Sequence, residues 1–164
     1  MLSPVLPRDG VDDGRSQFER SKTTCENKYM TIGIVGLGLI GGSMAIDLRR
    51  RGFASEILGV EADPVNASAA LKIGLADEIV DLKQCIDRSD IVVLSVPVGT
   101  AAVMLPAVLD HFAEIETEYD DAGGSNAVVK SPDGQLRKIV IDVCSTKGSL
   151  VNAVKDHPMR RRYV

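Results

Sequence analysis

The chain has 164 residues, 45% of them hydrophobic and 26% charged, with a formal net charge of −4. That balance describes one globular domain rather than a disordered chain, and the lack of a dense basic face excludes nucleic acid as a partner. The longest apolar run, Ile91 to Val98, is too short to span a bilayer, so no membrane is expected.

Residues 1–29 carry Pro, Gly, Ser, Asp, Arg and Lys with few apolar positions, and read as a flexible N-terminal tail. They lack the charged segment and apolar stretch of a secretory signal. The first strand is expected over 31–35 (Thr31-Ile32-Gly33-Ile34-Val35), and a helix follows near 39–51. Between them lies Gly36-Leu37-Gly38-Leu39-Ile40-Gly41-Gly42-Ser43. In that setting Gly36 permits the turn out of the strand, Gly38 lets backbone approach a pyrophosphate, and Gly41 lets helix pack against strand. The N–H groups and positive dipole end of the helix then face the phosphates. The helix closes on Arg49-Arg50-Arg51-Gly52, cations at the negative dipole end with Gly at the cap.

A second strand at about 56–60 ends at Glu61, twenty residues after Gly41. A carboxylate there can accept both hydroxyls of an adenosine ribose. It would repel a 2′-phosphate, and the next residues, Ala62 and Asp63, supply no cation. NAD is therefore the expected cofactor and NADP is disfavoured. Asp63 before Pro64 reads as an N-cap with Pro at the first helical position. That helix runs from Pro64 to about Ile73 and stops at Gly74. A short strand near Glu78–Val80 and a helical stretch near Leu82–Arg88 follow. Strand four, Asp90 to Val96, is nearly all apolar, as a strand buried on both faces must be.

A helix is expected from about Thr100 to Phe112, with Val103, Leu105, Val108 and Leu109 as its core stripe. Residues 114–136 are polar and Gly-rich and read as a loop insertion. Strand five is Lys138 to Val143, a helix runs from about Ser149 to Asp156, and Arg162-Tyr163-Val164 looks like the start of a sixth strand. Repeated βα units imply an α/β, doubly wound parallel sheet, the Rossmann fold. Its strand order is expected to be 3-2-1-4-5-6 with strand six incomplete, and its ligand lies at the carboxyl ends of strands one and four.

That topology nominates Ser95, Val96 and Pro97 at the end of strand four, and Ser145 after strand five, as lining the nicotinamide side. Ser145 reads equally as a hydroxyl for a carboxamide, substrate or catalytic side chain, or as the N-cap of the next helix. Lys147 reads as a solvated lysine or a holder of an anionic substrate, and Asp142 as a structural acid at the strand end. The three cysteines, Cys25, Cys85 and Cys144, show no CxxC spacing, which suits a reducing cytoplasm and argues against disulfides or a metal site.

The run TIGIVGLGLIGGSMAIDLRRRG resembles the nucleotide-binding segment of prephenate dehydrogenases and their arogenate dehydrogenase relatives. GVEADP at 59–64, DIVVLSVPV at 90–98 and IDVCSTKGS at 141–149 agree, the last being similar to the family's Asp-x-Gly-Ser-x-Lys signature. The resemblance implies NAD-dependent oxidative decarboxylation of prephenate to 4-hydroxyphenylpyruvate, toward tyrosine. It implies pyrophosphate on Gly36, Gly38, Leu39, Ile40 and Gly41, ribose on Glu61, and Ser145 supporting catalysis near nicotinamide and substrate. Arogenate is the alternative substrate. Pyrroline-5-carboxylate reductase, or a non-catalytic NAD-binding module, is the alternative reading.

Four departures stand out. Cys144 replaces the usual glycine, and 114–136 is longer than the usual connection. The family's His-Pro motif follows strand six, whereas His157-Pro158 precedes it, so His157 is read as a decoy and His111 as misplaced. The family's helical C-terminal domain, which forms the homodimer and closes the pocket, is expected to be missing here. The chain is thus expected to bind cofactor and turn over little alone.

Overall fold

Near-continuous apolar runs along short β-branched strands suit a sheet buried on both faces, and helices must cover each face. The computed structural model of the chain describes residues 30–121 and 138–164. In chain order it contains β1 (Thr31–Val35), α1 (Leu39–Arg50), β2 (Glu56–Val60), α2 (Pro64–Lys72), β3 (Glu78–Ile79), α3 (Leu82–Arg88), β4 (Ile91–Leu94), α4 (Val98–Asp121), β5 (Ile139–Asp142) and α5 (Gly148–Val154). The strands form one parallel sheet in the order β3-β2-β1-β4-β5.

The period of two sorts the core into two layers. Ile32, Ile34, Ile57 and Val93 pack with Ala45 of α1 and Ala70 of α2 on one face. Val92, Leu94 and Val140 pack with Ile86 of α3, Leu105 and Val108 of α4, and Leu150 of α5 on the other. Gly33 faces α3 so closely that a Cβ there would lie 2.3 Å from Cys85 Sγ and 2.5 Å from Ser89 Oγ.

Local chemistry sets the helix ends. The Asp63 side chain accepts hydrogen bonds from the N–H groups of Val65 (2.7 Å) and Asn66 (3.3 Å), with Pro64 opening α2. Asp81 and Gln84 form a reciprocal capping box on α3. Gly52 takes φ +67 after α1, in the left-handed region expected of a glycine stop.

Three expectations change. Residues 114–121 are helical, the last two turns of α4, and not the start of a loop; 122–137 lie outside the described residues, as do 1–29. Those turns are held from a distance: Ile115 packs against the core, and Glu116 pairs with Arg162. The stripe of α4 is Ala101, Leu105, Val108, Leu109 and Phe112, all buried, while Val103 is 77% exposed. Two residues before Leu105, Val103 sits about 200° round the helix. By length and composition Val98–Glu116 is apolar enough to cross a membrane, yet this stripe makes it a core helix of the sheet. Finally, the expected sixth strand is a single bridge. Arg160–Arg162 form a 3₁₀ turn, Tyr163 pairs in parallel with Val140, and Val164 N donates to Val140 O at 3.1 Å.

Gly33→Ala should force its Cβ into Cys85 and Ser89 and lower stability by about 1–3 kcal/mol, as overpacking does. Urea unfolding measures it, and an unchanged midpoint would show that α3 gives way freely.

Candidate dinucleotide-binding crevice

The carboxyl ends of β1, β2, β4 and β5 converge on one edge of the sheet. β1 delivers Gly36 with φ +91, and its N–H donates to Val60 O at 2.8 Å. A Cβ on Gly36 would lie 2.4 Å from Ser95 O, so the turn and the β4 end fit only without a side chain. At Gly41 a Cβ would lie 2.1 Å from Gly36 O, which allows the first turn of α1 to sit directly against the end of β1. Gly38 is different: a Cβ there meets nothing within 4 Å. Gly38 is the N-cap of α1, and no side chain caps that helix. The first-turn N–H groups of Leu39, Ile40 and Gly41 therefore have no carbonyl behind them. Leu39 is 87% exposed and Ile40 55%, apolar side chains standing beside these donors.

Glu61 ends β2 across the glycine loop. Its Oε2 accepts from Leu37 N at 3.1 Å and its Oε1 from Asp63 N at 3.2 Å. Two backbone donors fix the carboxylate, and its remaining lone pairs stay available to hydroxyl donors. The Leu37 contact is invisible in sequence, because it joins the loops that follow two different strands. The donor set matches an anionic group with flanking hydroxyls: uncapped helix N–H groups, an open glycine and an oriented carboxylate.

At the other end, Ser95 N donates to Val35 O at 2.8 Å, and Val96 O accepts from Cys144 Sγ at 3.7 Å. Cys144, at the position where glycine was expected, thus joins the β4 and β5 ends. Pro97 is exposed next to Val98, the first residue of α4. Ser145 is exposed and its hydroxyl makes no hydrogen bond among the described residues. It is not the N-cap of α5; that position is Lys147, whose side chain does not cap.

Asp142 is the structural acid the sequence suggested. Its side chain is fully buried; Oδ1 accepts from Cys144 N at 2.8 Å, and Oδ2 from Lys147 Nζ at 2.6 Å and Tyr163 Oη at 2.6 Å. Burial pushes the Asp142 carboxyl up, but the bonds from Lys147, Tyr163 and Cys144 outweigh it and hold the carboxyl below its ordinary value. Lys147 is therefore neither a purely solvated lysine nor an open anion holder; it is committed to Asp142.

Both histidines lie elsewhere. His157 Nδ1 accepts from Met159 N at 3.0 Å, which leaves Nε2 bearing the proton toward Asp110 Oδ1 at 3.0 Å. Asp110 is twelve residues into α4, about 18 Å along the helix from the crevice. The two ring nitrogens of His111 face Asp87 Oδ1 and Glu114 Oε2, each at 2.7 Å.

The family described as prephenate dehydrogenase, nucleotide-binding domain, matches residues 44–137. A curated prephenate dehydrogenase of Lactococcus lactis subsp. cremoris is 29% identical over 126 residues, covering 77% of this chain and 33% of that protein. The chain thus spans about a third of that relative's length. A crystal structure of prephenate dehydrogenase from A. aeolicus with hydroxyphenyl propionate and NAD+ superposes with a TM-score of 0.54 and 27% identity, covering 82% of this chain and 40% of that one. Synechocystis arogenate dehydrogenase superposes with a TM-score of 0.55 and 30% identity, covering 77% and 37%.

With its folded value depressed, Asp142 contributes stability that is complete above the unfolded value, about pH 4, and is lost as pH falls through the lower folded value. Asp142→Asn should therefore weaken the fold at neutral pH by about 1–3 kcal/mol and unfold less steeply below about pH 4. Circular dichroism across an acid series checks this. An acid limb identical to the parent's would mean that other carboxylates carry it.

Proposed function

The chain belongs to the family of prephenate dehydrogenase nucleotide-binding domains, and we propose that it is the NAD-binding part of an enzyme that oxidatively decarboxylates prephenate to 4-hydroxyphenylpyruvate. One observation carries the reading: Gly38 opens an uncapped helix with free space where a Cβ would stand, one residue after Leu37, whose N–H is held by the carboxylate of Glu61. Bound NAD supplies hydride acceptance, which is cofactor chemistry. The chain's part is to bind and orient. Gly36, Gly38, Leu39, Ile40 and Gly41 receive the pyrophosphate, and Glu61 accepts the ribose hydroxyls. Ser95, Val96 and Pro97 line the nicotinamide side, and Ser145 offers its free hydroxyl to nicotinamide or substrate. The relative solved with NAD+ supports this cofactor, and Ala62 and Asp63 supply no cation for a 2′-phosphate.

Arogenate is the second reading of the substrate, favoured by the 30% identity to an arogenate dehydrogenase. The complete protein is proposed to be a cytoplasmic homodimer whose further domain closes the substrate pocket. The chain's two histidines are His111 and His157, both tied to carboxylates remote from the glycine loop. The 164-residue chain alone is accordingly expected to form no NADH from prephenate.

Calorimetry should find NAD binding tighter than NADP, with Glu61→Ala weakening NAD by about ten- to a hundredfold, the range for bonds to a charged acceptor, and relaxing the preference. Equal or tighter NADP binding by the unmodified chain would remove Glu61 from this role.

Gly38→Val puts a branched side chain into the space reserved for pyrophosphate. NAD affinity should collapse while the thermal unfolding midpoint stays close to the parent's, since the added atoms meet open space. A folded variant that binds NAD normally would refute the phosphate assignment.

A further inference from the structure

Ser145 lies in a short loop whose two ends are gripped by the same carboxylate. Cys144 N binds Asp142 Oδ1 at 2.8 Å and Lys147 Nζ binds Asp142 Oδ2 at 2.6 Å, so the residues on either side of Ser145-Thr146 share one anchor. The orientation of that anchor is set by a third donor, Tyr163 Oη, at 2.6 Å. Tyr163 is only 5% exposed. Its own position is fixed by the bridge to Val140 and by Arg160, whose guanidinium lies 4.9 Å from the ring centroid and donates to Tyr163 O at 2.8 Å.

We propose that Tyr163 is a positioning residue for the crevice: through Asp142 its hydroxyl sets the loop that carries Ser145, and so links the Arg160–Tyr163 segment to the nicotinamide side. This rests on the reading of the crevice as an NAD site. In the strand order β2-β1-β4-β5, Glu61 and Ser145 end strands three places apart, about 14 Å at ordinary strand spacing. A change at Tyr163 therefore acts on one half of a dinucleotide and spares the adenosine half. The chain also carries its own reporters of loop order. Cys144 is half-buried beside the tether, with its thiol pushed up by burial and by Asp142, whereas Cys85 is fully buried under the sheet.

The test is Tyr163→Phe in the full chain, which removes one oxygen and keeps the ring. Losing a hydrogen bond to a charged acceptor should weaken NAD by about tenfold, while ADP-ribose, which lacks the nicotinamide, binds as before. In parallel, iodoacetamide labelling of Cys144, read by mass spectrometry, should speed up by a similar factor with Cys85 still protected. Unchanged Cys144 labelling, or equal weakening of both ligands, overturns the proposal. So does joint exposure of Cys85, which would mean that Tyr163 merely holds the fold. If the unmodified chain binds neither ligand yet Cys144 opens in the variant, the cofactor reading falls with the nicotinamide role, and the tether alone stands.

Discussion

The first turn of α1 rests on the end of β1 with no side chain between them, and the crevice exists because of that contact. Gly41 supplies the close approach against Gly36 O, and Gly42 continues it against Leu75, whose Cδ1 would lie 3.0 Å from an added Cβ. The helix axis is thereby aimed so that its N-terminal end opens at the carboxyl edge of the sheet. Two other helix starts close themselves: Asp63 caps α2 and Asp81 caps α3. The start of α1 is left without a side-chain cap, at some cost in helix stability, and its first-turn N–H groups have no partner within the helix.

Two acids at strand ends show how surroundings divide similar groups. Glu61 is partly exposed and held by two backbone N–H groups, with acceptor capacity left over. Asp142 is buried and saturated by an ammonium, a phenol and a backbone N–H. The same pairing pushes the Tyr163 phenol well above its ordinary value, through burial first and the adjacent carboxylate second. A phenol held protonated is a donor to Asp142, the polarity the tether needs.

Far from the crevice, charged side chains connect segments that helices and strands leave apart. Lys138 Nζ donates to the carbonyls of Ile86, Asp87 and Ser89 at 2.9, 2.8 and 3.0 Å, closing the C-terminal end of α3 from the start of β5. Burial lowers the Lys138 ammonium from its usual range, against the opposing pull of Asp90 and Asp87. Arg162, 2% exposed, reaches Glu116 and Lys138 O, with its Nε left unpartnered among the described residues. Such a buried pair contributes little net stability, but removing one partner leaves an uncompensated buried charge. His157 Nε2 meets the exposed Asp110 Oδ1 at 3.0 Å, which ties the segment after α5 to α4.

The sequence by itself determined most of the strands and helices, the strand order through β5 and the close approaches at Gly36 and Gly41. These follow from short-range physics: apolar periodicity, capping side chains and the steric freedom of glycine at fixed spacing. It also suggested a structural acid at Asp142, whose buried carboxylate meets three donors. Only the tertiary structure decided the rest. It carried α4 on to Asp121, turned Val103 outward, reduced the sixth strand to one bridge, and joined Leu37 to Glu61, Cys144 to Val96 and Tyr163 to Asp142. Each of these depends on a partner far along the chain. A polar residue such as Glu116 or Tyr163 carries no local mark of the charge or carboxylate that it meets once the sheet brings distant ends together.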